Sequence, residues 1–177
     1  MESSAPVAAA GDVTVRRVLR PGDPEAIVDL HRRIYPGEHG VDETFTRDVG
    51  AELARLVARG WPGPGEGIWV VERNGALAGC LALSDEGQGT GRVRFFLLEP
   101  GLRGDGLGRR LLGELLERAR GAGHSRLTLT TFEELRAAAH LYRQAGFRVV
   151  AEDRSPRWGR ERFCLQHYEL ALGSPEG

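Results

Sequence analysis

Residues Leu97–Leu116 read LLEPGLRGDGLGRRLLGELL. The segment begins apolar, breaks at Pro100, sets Gly104, Gly106 and Gly108 at alternate positions, and resumes with leucines at helical spacing. A strand here hands over to a helix through a glycine-rich turn. A helix that starts this way presents unpaired backbone N–H groups and the positive end of its dipole, and both attract an anion. Glycine adds positive φ and lets an anion approach the main chain closely. Two phosphate-binding patterns are excluded: the Rossmann fingerprint needs its third glycine where Arg109 stands, and a P-loop needs a lysine, which the chain lacks entirely.

The flanking segments alternate between the two periods. Val13–Leu19 reads as a half-buried strand that stops at Pro21-Gly22. Asp23 is placed to cap a helix with Pro24 in its first turn, carrying Ile27, Val28, Leu30, His31 and Ile34. The stretch YPGEHGVDETF (Tyr35–Phe45) reads as a loop, within which Asp42 or Thr44 starts a second helix to about Arg59. Ile68–Leu83 is a hairpin whose strands meet at Asn74-Gly75, the preferred type I′ pair. Ser84–Gly91 reads as a polar loop, and the apolar run of Arg92–Leu98 as a strand buried on both faces.

After the glycine helix come a strand at Arg126–Thr131, a helix from Glu133 closed by Gly146, and an antiparallel pair, Phe147–Glu152 and Arg162–Leu172. The order β-α-α-β-β-β-α-β-α-β-β predicts an α+β fold: one domain over residues 13–172, a mixed, mostly antiparallel sheet flanked by helices. Residues 1–12 and 173–177 are expected to be tails.

Composition narrows the function. The formal net charge is −1, so no broad field recruits nucleic acid or an anionic membrane. All 24 basic residues are arginine, which excludes a catalytic lysine. Cys80 and Cys164 stand far apart with no metal-ligand spacing, and the expected setting is reduced and cytoplasmic, without a metal.

Arg103-Gly104-Asp105-Gly106-Leu107-Gly108 resembles the Gln/Arg-x-x-Gly-x-Gly/Ala signature of the GNAT N-acetyltransferase superfamily, including its upstream apolar strand. AAAHLYRQAGF (Ala137–Phe147) resembles that superfamily's second motif, Leu-Tyr-x-x-x-Gly-Phe. More narrowly, HGVDETF, RFFLLEPGLRG, LTTFEELRAAAHLYRQAGF and RWGRE resemble the acetyltransferase half of MarR–GNAT fusion proteins, without their winged helix. The resemblance implies acetyl-CoA as co-substrate. Its pyrophosphate would sit on the N–H groups of Arg103 through Gly108, with the Arg103 and Arg109 guanidiniums at hand. Its pantetheine arm would run along a bulged strand edge at Phe96, Leu97 and Leu98.

Acetyl transfer needs a neutral amine. A lysine-like amine needs roughly 4–5 kcal/mol to deprotonate at pH 7, an α-amine near pKa 8 only about 1–2. The resemblance assigns Tyr142 to protonate the departing thiolate. No carboxylate stands where many relatives carry their base: Thr130, Arg92 and Arg94 occupy those places. Glu38, Glu133 and Glu134 are substitutes, with a water-relayed path as the default. The acceptor candidates are Tyr35, Glu38, His39, Phe45, Thr130, Glu133, Trp158 and Arg160. Glu38 suits an ammonium, while Arg160 or Arg94 suits a carboxylate. The expected acceptor is a small-molecule amine, such as an amino acid or related metabolite, bound by a monomer or homodimer. The alternatives are a protein or peptide N-acetyltransferase and an idle acyl-CoA-binding sensor.

Overall fold

The structure is a computed structural model that describes residues 11–173. The expected tails therefore fall, except for residues 11, 12 and 173, outside the described residues. The chain runs β1 (Val13–Arg16), α1 (Asp23–His39), α2 (Glu43–Ala58), β2 (Gly67–Arg73), β3 (Ala76–Gly87), β4 (Thr90–Leu98), α3 (Leu107–Gly121), β5 (Arg126–Phe132), α4 (Arg136–Gln144), β6 (Arg148–Asp153) and β7 (Leu165–Ala171). This is the element order expected from the sequence.

One sheet holds all seven strands in the order β1-β2-β3-β4-β5-β7-β6. Every neighbouring pair is antiparallel except β4 and β5. That parallel pairing is short, joining Thr90–Arg92 to Arg126–Thr128 and then ending. From Val93 onward β4 faces β5 across a cleft, and the cause lies within β4. Cys80 pairs with Leu97 and Ala82 with Arg94, so two steps on β3 meet three on β4. The extra residue forms a bulge in which Phe95 takes φ 52°. A bulge bends and twists its strand, which swings the end of β4 away from β5.

Helices cover both faces. α1 and α2 bury Ile27, Leu30, Leu53 and Leu56 against Val70, Cys80 and Ala82. α3 buries Leu111, Leu112 and Leu115, each at most 2% exposed, against the other face, and each contributes about 1.5–3 kcal/mol. A third, aromatic cluster of Phe45, Phe132 and Phe163 with Trp158 packed against it sits where the cleft opens.

Five local expectations change. β1 stops at Arg16, whose guanidinium turns to Asp23 and Glu72 (both 2.7 Å) and to the Val18 carbonyl (2.6 Å), drawing the chain out of the sheet. Asp23 is the first helical residue and not the cap: its carboxylate accepts from Arg16 and the Arg20 N–H, and Gly22 takes the left-handed cap position. The loop expected from Tyr35 begins only at Gly40, because α1 continues through Pro36 to His39. A proline this close to the helix end removes one ladder bond, and the Gly40 N–H closes the last turn onto the Pro36 carbonyl. The loop expected at Ser84–Gly91 is a second hairpin, its turn made by Gln88 and Gly89 at φ 54° and 74°. The expected helix from Glu133 starts at Arg136, which leaves Glu133 and Glu134 in the preceding turn.

Candidate active site

The glycine turn forms as its residues require. Gly104 and Gly106 hold φ 92° and 82°, and a Cβ at either would meet nothing within 4 Å, so the space outside them is open. Among the described residues, the N–H groups of Gly104 through Arg109 find no partner in the chain, whereas the Arg103 N–H is bonded to the Pro100 carbonyl. Six unpaired donors thus cluster at the start of a 15-residue helix, beside one groove. The groove, about 760 Å³, runs from Gly104, Gly106 and Gly108 along Phe96–Leu98 to Tyr142. Its floor is the edge of β4 that β5 has left.

Both arginines expected at the anion are engaged elsewhere. Arg103 donates to the Leu98 carbonyl (2.9 Å) and to both Glu38 carboxylate oxygens (3.0 and 3.1 Å). Arg109 donates to Gln144 (2.5 Å), tying α3 to α4. The backbone donors, not these guanidiniums, are free for an anion. Arg136 and His140, not singled out in the sequence, also line the groove.

A second cavity of about 400 Å³ lies on the other side of the cleft. Its aromatic wall comprises Tyr35, Phe45, Phe132 and Trp158; Tyr35 stacks on Phe45 (4.5 Å) and Phe45 meets Trp158 edge-on (5.0 Å). The Trp158 loop is held in place by the Asp42 N–H on the Trp158 carbonyl (2.9 Å) and by the indole N–H on Asp48 (2.8 Å). Opposite stand Arg92, Arg94 and Thr130. Arg94 is bound on three sides, to Glu52 and Glu86 (both 2.5 Å) and to Ser84 (2.7 Å). Arg92 is different: among the described residues it makes no ion pair, and its one polar contact is with Thr130 Oγ1 (3.0 Å). Burial, reinforced by the Arg94 charge, pushes its pKa down. A half-buried guanidinium without a carboxylate is costly to keep and selective for an incoming anion.

The groove and the cavity share Tyr35, Phe96, Leu135, Ala138 and Tyr142. Tyr142 is 5% exposed, packed by Phe96, Phe147 and Tyr168, and burial raises its pKa. Its hydroxyl makes no hydrogen bond with any described residue, although a buried phenol usually does. It therefore stays protonated, with its donor open to the junction.

The acceptor candidates separate. Tyr35, Phe45, Thr130 and Trp158 line the cavity. Glu38 and His39 line the cofactor-side groove, because the longer α1 carries them there; Glu38 is held by Arg103, and burial lowers the pKa of His39. Arg160 is paired with Glu134, and Glu133 lies in neither space, beside Arg154 (3.6 Å). None of the three carboxylates considered as a base is free. Glu133 does come within 4.8 Å of Glu152 and Cys164, but Arg154 lies across both acids. The cavity is also lined by Arg92, read from the sequence only as standing where relatives carry a base, and by His31, Asp48, Glu52 and Arg157, which the sequence did not single out as site residues. The sequence signal for Arg92 was shared with Arg94, two residues on in the same largely apolar strand.

Known proteins share the sequence pattern and the fold. The model described as "Acetyltransferase (GNAT) family" matches residues 25–147. An uncharacterised N-acetyltransferase of Schizosaccharomyces pombe is 33% identical over 119 residues, 66% of this chain and 71% of the relative. The L-amino acid N-acyltransferase MnaT of Escherichia coli K12 is 28% identical over 144 residues, 77% of this chain and 80% of the relative. Among solved structures, yncA of Salmonella typhimurium, described as a putative acetyltransferase with its cofactor acetyl-CoA, superposes with a TM-score of 0.71 at 24% identity, covering 93% of this chain and 98% of its own.

Proposed function

Because the chain belongs to the GNAT family of acetyltransferases, we propose that it moves the acetyl group of acetyl-CoA to the amine of a small molecule that also bears a carboxylate, an amino acid or close relative. The single observation that carries the acceptor class is Arg92, a half-buried guanidinium in the acceptor cavity with no carboxylate of its own. MnaT, an L-amino acid N-acyltransferase by name, supports the same class. The role foreseen for Arg94 or Arg160 passes to Arg92, since the other two are already paired.

The residues present fit the cofactor. The free N–H groups of Gly104 through Arg109 would take the pyrophosphate, and the unpaired edge at Phe96, Leu97 and Leu98 would take the amide-bearing arm. Bound there, acetyl-CoA supplies an activated acyl group and a thiol leaving group. Tyr142 holds a proton at the junction for the departing sulfur. Arg92 orients the acceptor, and the aromatic wall of Phe45, Phe132 and Trp158 excludes water and receives an apolar side chain. The narrower likeness to the acetyltransferase half of MarR–GNAT proteins, a cytoplasmic setting, and a monomer or homodimer belong to the same reading.

The test is turnover on paired acceptors, measured as thiol release: apolar L-amino acids against the amines that lack their carboxylate. The acids are expected to be preferred by at least tenfold. Preference for a peptide N-terminus over both moves the protein to peptide acetylation, and tight CoA binding without turnover makes it a sensor.

A further inference from the structure

A row of polar side chains crosses the sheet next to the acceptor cavity. Arg92 on β4 donates through Nη2 to Thr130 Oγ1 on β5 (3.0 Å), and Thr130 Oγ1 meets His167 Nδ1 on β7 (3.0 Å). Thr130 and His167 are direct cross-strand partners, which fixes their side chains on the same face. Thr130 lines the cavity and His167 is half-buried, so the row leads from the acceptor site toward solvent. A hydroxyl has one proton to donate and two lone pairs. Arg92 occupies one lone pair and has no acceptor capacity of its own, so the Thr130 proton is free to point at His167 Nδ1. The second Thr130 lone pair then remains for the cavity.

We propose that Thr130 and His167 form the proton relay that deprotonates the acceptor ammonium, with His167 as terminal acceptor acting through the threonine hydroxyl. The inference rests on the N-acetyltransferase reading above. In the step, an ammonium N–H proton passes to Thr130 Oγ1 while the Thr130 hydroxyl proton passes to His167 Nδ1. His167 becomes an imidazolium, gives up one proton to solvent, and returns by exchange at its ring nitrogens to the neutral Nε2–H tautomer before the next turnover. The neutral amine nitrogen then bonds to the acetyl carbon, and the carbon–sulfur bond breaks. Its second proton leaves with the sulfur by way of Tyr142, so one proton per turnover exits through His167.

Among the described residues, each carboxylate in or near the cavity already holds a charged or hydrogen-bonding partner. In the cavity Glu52 is held by Arg94, and Asp48 accepts from Trp158. Outside it Glu38, Glu133 and Glu134 are paired with Arg103, Arg154 and Arg160. His31 lines the cavity as well, but its Nδ1 is bound to the Ile27 carbonyl (2.8 Å) and its ring is buried among Tyr35, Phe45 and Phe95, with no route for a proton to leave. The charged groups around His167 are few: Arg92 from β4 through Thr130, Asp153 from β6, and Glu169 on β7 itself, which pairs with Arg126. The carboxyl of Asp153 is held low by Ser155 first and by Arg157 and His167 after it.

Two measurements test the relay. The first is kcat/KM for the best acceptor from pH 6.5 to 9.5 in wild type, Thr130→Val, Thr130→Ser and His167→Gln. Thr130→Val and His167→Gln are expected to lose on the order of 100-fold near pH 7 and to recover toward wild type as the amine deprotonates unaided. KM for acetyl-CoA should hold, and Thr130→Ser should stay within a few-fold of wild type. A loss that is the same at every pH overturns the relay. The second is the tautomer of His167 by nitrogen-detected NMR on the resting protein, which needs no turnover. Protonation at Nε2, displaced in Thr130→Val, is expected; protonation at Nδ1 in wild type overturns the relay. If no amine is ever acetylated, the enzyme reading fails while the tautomer remains measurable, so the two failures are distinguishable.

Discussion

Replacing Arg92 with methionine keeps the stem of the side chain and removes the guanidinium. Two consequences follow from its surroundings, and they run in opposite directions. Arg92 has no carboxylate partner among the described residues, so its removal orphans no buried charge and leaves only Thr130 Oγ1 without a donor. The fold is expected to lose little or to gain slightly, because an uncompensated, desolvated charge disappears. The acceptor loses a charge-assisted contact of about 1.5–3 kcal/mol, which is on the order of 10- to 150-fold in kcat/KM. Steady-state thiol release with an apolar L-amino acid and with the amine lacking its carboxylate separates the effects. The amino acid should fall by that factor, the bare amine should hardly change, and thermal unfolding should shift by no more than about 2 °C. Arg92→Lys should recover part of the loss, since a point charge replaces a bidentate fork. An equal loss on both acceptors, or a strongly destabilised protein, refutes the carboxylate role.

Gly106→Val puts a branched side chain at φ 82° in open space; the strain destabilises the fold by about 1–2 kcal/mol, while the added carbons block the anion site. Calorimetric titration should show CoA affinity falling at least tenfold in a protein that remains folded by circular dichroism. Tyr142→Phe should lower kcat on the order of 100-fold with CoA affinity unchanged, and an unchanged kcat would return the ring to a packing role. His31, buried, has its pKa pushed down to about 4, so the unfolded chain binds its proton first as pH falls. That places a loss of up to about 3 kcal/mol of stability between pH 6.5 and 4, most of it above pH 4.5, where the unfolded chain begins to take up protons ahead of Glu66 and then Asp23, whose folded pKa values are lowered. Urea unfolding at pH 7 and 4.5 should show it in wild type and lose most of it in His31→Gln.

Features governed by a few neighbouring residues were legible in the sequence. Asn74-Gly75 turns the first hairpin at φ 52° and 79°, Asp42 caps α2 by accepting from the Thr44 N–H, and the glycine turn opens α3. Where the local signal conflicted with tertiary support, the reading went astray. Pro36 and Gly37 look like a breaker, yet the α1 turn that holds them is packed by Ile34 and Tyr35 and closed by Gly40. Ser84–Gly91 looks like a loop because the hairpin tip at Asp85–Gln88 is exposed and needs no apolar face. The acceptor residues were the hardest to read for a different reason. Which arginine remains free depends on pairings between distant positions, Glu38 with Arg103, Glu52 with Arg94 and Glu134 with Arg160. A chain with 24 arginines and 25 acids offers too many such pairings for spacing to choose among.

The absence of lysine gives the central claim a clean readout, because the chain has no side-chain amine to accept an acetyl group. The decisive measurement is mass spectrometry of the intact protein and of the small-molecule fraction after incubation with isotope-labelled acetyl-CoA and an apolar L-amino acid. Labelled N-acetyl amino acid should accumulate in step with free CoA over many turnovers, while the protein gains at most one acetyl group, at its N-terminus. Tight CoA binding with no labelled product from any amino acid, amine or peptide would contradict the account.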